Sequence, residues 1–171
     1  MKTAMRYIIT VLLLVIAQGA IDNYVNLSVY LNIMLPMFII LILPEKSGSI
    51  AVMLAAFALG LIMDIFGNGI PGLSAAAMTA AALCRKPILR IIIPKELTVK
   101  EGRTAIESLG ISHFALYSAL MLVLCLSVYI LVDNAGFRPV WQCLGRLGAS
   151  LILNTAVMTA LFAAVRDNRR Q

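Results

Sequence analysis

The chain has 171 residues, 61% hydrophobic and 13% charged, with a formal net charge of +6 and a mean hydropathy of +0.96. Soluble domains are about 45–50% apolar and about 25% charged, so one water-facing core cannot hide this surface and a polytopic membrane protein is expected. The basic excess is no nucleic-acid footprint, which would interleave Lys and Arg with exposed aromatics.

Charges cluster between long uncharged runs. A crossing helix needs about 20 mostly apolar residues. Six spans are predicted, at about 5–21, 25–43, 50–66, 71–86, 111–132 and 147–165, forming an all-α six-helix bundle in a single domain over 1–171. Orientation follows from Lys and Arg. With the N-terminus cytoplasmic, twelve basic residues fall inside and only Arg138 and Arg146 outside, so both termini are expected in the cytoplasm. The first segment has a signal-like composition, but its removal would leave an odd span count, so it is read as a span.

Span one carries a single amide, Gln18, near its outer end. Asn32 and Pro36 interrupt span two, where the proline is expected to kink the helix. Span three has small residues at helical spacing (Ala51 and Ala55, then Ala56 and Gly60), and span four is richer still. Small residues let backbones approach closely in lipid, so these two spans are expected to form a tight hairpin.

The stretch "GLIMDIFGNGIPGLSA", Gly60 to Ala75, joins them. An ionisable group within a span is a functional hypothesis by default, which singles out Asp64. Gly67, Asn68 and Gly69 are expected to supply positive φ for the reversal. Pro71 suits the first turn of the next helix, and Gly72 is expected to allow close helix approach. The next helix then offers free N–H groups and a positive dipole end, and the Asp64 carboxylate is expected to fold onto them. A proton or cation site, or a carboxylate offered to a partner's Arg or Lys, stands as the alternative.

Residues 87–110 read as a cytoplasmic amphipathic segment lying in the interface. Thr98 and Glu101 make a capping box, and Lys100 and Arg103 would face anionic lipid heads. His113, in the first turn of span five, reads as an interfacial polar residue. Trp141 reads as an interface anchor. Asn154 in span six reads as interhelical glue. Cys84, Cys125 and Cys143 lie at different depths and form neither a disulfide pattern nor a metal pattern. No nucleophile pair, paired carboxylates, metal cluster or phosphate-cradling loop is visible, so no catalytic or metal site and no cofactor is assigned.

The size, the six spans and the pattern Gly60, Asp64, Pro71, Gly72, Leu73, followed by a small-residue helix and "CRKPILRIII", resemble the bacterial rod shape-determining MreD family. That resemblance implies a non-enzymatic inner-membrane component of the cell-elongation and peptidoglycan-synthesis machinery. The implied partners are an MreC-like scaffold, a RodA-like glycosyltransferase with its transpeptidase, and an MreB-like filament. It also implies likeness to the substrate-binding subunits of energy-coupling-factor transporters, which makes a vitamin-type binding subunit the alternative. Tyr24, Asn26, Trp141 and Gln142 are the candidate pocket residues in that case.

Overall fold

A computed structural model describes residues 11–21, 31–44, 47–68, 70–92, 110–134 and 139–168. Among these, all regular structure is helical: α1 (Val11–Ile21), α2 (Met37–Ile42), α3 (Ser49–Met63), a π-helical turn (Asp64–Asn68), α4 (Leu73–Ile92), α5 (Ile111–Asn134) and α6 (Val140–Asn168). The segments Ser49–Phe66, Ile111–Asn134 and Val140–Asp167 are long and apolar enough to cross a membrane. Helices α3 to α6 pack in chain order, with α4 between α3 and α5.

The distribution of polarity is the reverse of a soluble fold. Large apolar side chains face outward along every long helix, including Leu54 and Phe57 on α3, Leu116 on α5 and Ile152 on α6. Polar groups lie inside: Gln18, Asn32, Asp64, Ser74, Arg85, Ser118, Ser150 and Asn154 are all buried. Lipid favours this arrangement, because apolar side chains lose nothing at its surface whereas each polar group needs an internal partner. Helical hydroxyls follow the same rule. Thr79 and Thr159 return theirs to the carbonyls four residues earlier, at 2.6 and 2.7 Å.

The interior packs around an aromatic cluster. Phe114 stacks on Phe162 with ring centroids 3.9 Å apart and meets Phe38 and Tyr117 edge-on at 6.4 and 6.2 Å. This ties α2, α5 and α6 together, since such pairs add about 0.5–1.5 kcal/mol beyond their burial.

Several boundaries differ from the sequence expectation. Span two is not a kinked helix: residues 31–34 have no regular structure, 35–36 form a turn, and regular helix is confined to the six residues of α2. Pro36 contributes, because it disfavours helical backbone at Leu35 and lacks an N–H of its own. Helix α4 continues past the expected end at 86, through Pro87 to Ile92. Its buried side runs on as Arg85, Leu89 and Ile92 at helical spacing, and that packing holds the last turns. Helix α6 begins at Val140 instead of 147, with Gln142 N–H bonded to the Pro139 carbonyl at 3.0 Å. The charge of Arg146 set the expected start, but that charge pairs with Asp133 at 2.5 Å and the helix passes through it. Helix α5 begins at 111, as the spacing predicts, and runs two residues further.

Candidate functional site

The hairpin between α3 and α4 is built on Asp64. Its carboxylate accepts hydrogen bonds from the N–H groups of Gly72 (2.9 Å), Ser74 (2.8 Å) and Ala75 (3.2 Å), and the residue is 2% exposed. Ala76 N–H bonds the Gly72 carbonyl at 2.9 Å, which makes Gly72 the N-cap of α4. A glycine cap has no side chain to offer the first-turn donors. Asp64 supplies the missing acceptor from the preceding helix, where its negative charge also meets the positive end of the α4 dipole.

The glycines divide the work differently from the sequence expectation. Among the described residues the left-handed glycine is Gly72, at φ +95°, whereas Gly67 continues the π-helical turn. Gly69 lies outside the described residues. Pro71 stands one residue before the cap, outside the helical first turn. Close approach belongs to Gly60, not Gly72. A Cβ on Gly60 would lie 2.4 Å from the Ala75 Cα, whereas one on Gly72 would meet nothing within 4 Å. Ala56 and Gly60 form the contact face of α3, while Ala51 is exposed and Ala55 half-buried.

A second polar centre surrounds the non-helical residues 32–35. Gln18 of α1 donates through Nε2 to the Ile33 carbonyl (2.7 Å) and accepts at Oε1 from Leu35 N–H (2.9 Å). From the opposite side, Asn154 of α6 donates through Nδ2 to the Asn32 carbonyl (2.5 Å) and accepts at Oδ1 from Met34 N–H (2.9 Å). Ser150 Oγ accepts from Asn32 N–H at 2.9 Å. Each carboxamide thus bonds the carbonyl of one residue and the N–H two residues on, as the edge of a neighbouring β-strand would. Irregular backbone inside a membrane protein needs such internal partners. Asn154 is therefore a backbone clamp and not only a bridge between helices. Sequence reading noted Gln18, Asn32, Pro36 and Asn154 one by one but missed that they form one cluster. The available signal was an amide within each of three spans, the one in span two four residues before a proline. The Asn32 side chain lies against the Tyr129 hydroxyl.

The third centre is Arg85 on α4, 1% exposed. Its Nε donates to the Tyr117 hydroxyl of α5 at 3.2 Å, and one Nη2 hydrogen goes to the Leu43 carbonyl at the end of α2. Nη1 has no hydrogen-bond partner. The ion pair found among the described residues, Arg146 with Asp133, joins α5 to α6 elsewhere. Sequence reading counted Arg85 only as a topology-setting charge and missed its burial.

Other singled-out residues stand apart from these centres. His113 is exposed near the start of α5, and Trp141 is 84% exposed near the start of α6. Cys84, Cys125 and Cys143 are free thiols. Thr98, Lys100, Glu101 and Arg103, together with Tyr24 and Asn26, lie outside the described residues. Among the described residues no three metal-ligating side chains come together.

Among the described residues, fold and sites define a helical protein with three helices long and apolar enough to cross a membrane, whose internal polar groups hold its own backbone in place. No protein-family model, curated protein or solved structure matches the chain.

Proposed function

We propose that this chain is a non-enzymatic scaffold of the bacterial cell-elongation machinery, a six-span inner-membrane protein with both termini cytoplasmic. Its partners in this reading are an MreC-like scaffold, a RodA-like synthase with its transpeptidase, and an MreB-like filament. One observation carries the reading: within the stretch that resembles the MreD family, Gly60 to Leu73, the end of α3 is capped onto the start of α4. There Asp64 gives its carboxylate to three backbone N–H groups and Gly60 meets the Ala75 backbone. A hairpin packed this closely presents a defined surface to a neighbour. Mild-detergent co-purification of the tagged chain, followed by mass spectrometry, tests this. Wall-synthesis membrane proteins are expected in the eluate, and an ATPase module in their place would sink the proposal.

A second reading, a small-molecule-binding subunit of a transporter, is favoured by the broken segment at 31–36, which places Asn32 in the interior. Interrupted helices are where membrane transporters build binding sites. It predicts saturable binding of a polar ligand by the purified protein, lost in Asn32→Leu.

A further inference from the structure

We propose that Arg85, with Lys86 beside it, forms a binding site for a phosphate group about two turns before the C-terminal end of α4, and that an anionic phospholipid supplies it. The argument starts from charge. A buried guanidinium presents five N–H donors and is always protonated. Here one donor goes to a hydroxyl and one to a carbonyl, both neutral, and Nη1 is left over. No carboxylate lies within ion-pair distance of Arg85 among the described residues. A buried charge left in that condition is strongly unfavourable, because neutral dipoles recover only part of its hydration.

The surroundings favour phosphate over a single carboxylate. Lys86 follows directly and is half-buried, while Arg90, one turn beyond Lys86, is exposed on a different face of α4 from Arg85, so this stretch is strongly positive although only Arg85 reaches the interior. The site also sits where α4, α5 and the end of α2 meet, joined by the Tyr117 and Leu43 contacts. Basic pockets between membrane helices are suited to lipid head groups, whose phosphate oxygens accept the paired donors of Arg. Because Nη1 is enclosed, the phosphate gains access by parting the α2 terminus, held there by the Leu43 carbonyl, from α4.

The test uses the full chain purified in a mild neutral detergent, with bound lipid counted by native mass spectrometry and unfolding followed by temperature. Phosphatidylglycerol, phosphatidylcholine, inorganic phosphate and acetate are added in separate arms. Wild type is expected to retain one phosphatidylglycerol and to unfold several degrees higher with it than with phosphatidylcholine. Arg85→Gln is expected to lose that retention at least tenfold, and the Lys86→Gln/Arg90→Gln pair, altered at the less buried positions, a few-fold. Equal protection by inorganic phosphate would keep the phosphate site and assign it to the free ion. Equal protection by acetate would overturn it in favour of an acidic protein partner. Should Arg85→Gln fail to fold, the wild-type arms decide alone: no retained lipid and no shift with phosphate overturns the site.

Discussion

Asp64 is the residue whose chemistry is most tightly defined. Its Oδ2 serves Gly72 and Ala75, and Oδ1 serves Ser74. Hydrogen bonds to a charged group contribute about 1.5–3 kcal/mol each, and donors left unpaired in a buried site cost about 1–3 kcal/mol. Asp64→Ala is therefore expected to lower stability by roughly 3 kcal/mol or more, read as a fall in the unfolding midpoint in detergent. Asp64→Asn keeps one carbonyl oxygen, enough for two of the donors, and should cost about 1–2 kcal/mol. Equal losses for the two variants would mean that charge, not acceptor number, holds the turn. The broken segment makes a similar case. Asn154→Leu orphans the Asn32 carbonyl and Met34 N–H, at a cost of about 2–4 kcal/mol. Gln18→Leu does the same to Ile33 and Leu35. Because both side chains hold one stretch of backbone, the double variant should lose less than the sum of the singles. Strict additivity would show that the two clamps act independently.

At the level of elements, the α3–α4 hairpin separates two reasons for glycine that look alike in sequence. Gly60 is set by space: Gly60→Ala drives a Cβ into the Ala75 backbone, and the helices must part, at about 1–3 kcal/mol. Gly72 is set by conformation: Gly72→Ala meets no atom but must hold φ near +95°, at about 1–2 kcal/mol. Gly148 serves as the control. It lies inside α6 with open space around it, so Gly148→Ala should be neutral or stabilise by about 0.5–1 kcal/mol. Thermal unfolding of the three variants checks the order, and a Gly60→Ala variant as stable as wild type would refute the close crossing. Replacing Pro36 by Ala would restore helical freedom at Leu35. The clamps should nonetheless keep 31–36 out of regular helix, seen as unchanged amide exchange at Met34 and Leu35.

For the whole molecule, the sidedness proposed from basic residues makes a direct prediction. Single cysteines placed at Trp141 and Arg90, both exposed, should react differently with a membrane-impermeant thiol reagent. In a background lacking the native cysteines, Trp141→Cys is expected to label in intact cells and Arg90→Cys only after permeabilisation. The reverse result would invert the bundle and remove the basis of the proposed partner arrangement.

The sequence by itself determined the class. Runs such as Ser108 to Val132 are too long and too apolar to be anything but membrane-type helix, and Asp64 beside a glycine-rich break pointed to a carboxylate over a helix start, because both signals are local. What lay beyond the sequence depended on residues far apart in the chain. That 31–36 would be irregular instead of kinked helix was decided by Gln18 and Asn154, which satisfy its backbone from two other helices and so remove the usual penalty for leaving the helix. The role of Gly60 was decided by Ala75 across the hairpin. Arg85 looked like a surface charge until Tyr117 and Leu43 closed over it. Local spacing fixes which segments become helices, but where a polar group finds its partner in lipid is settled only when the helices meet.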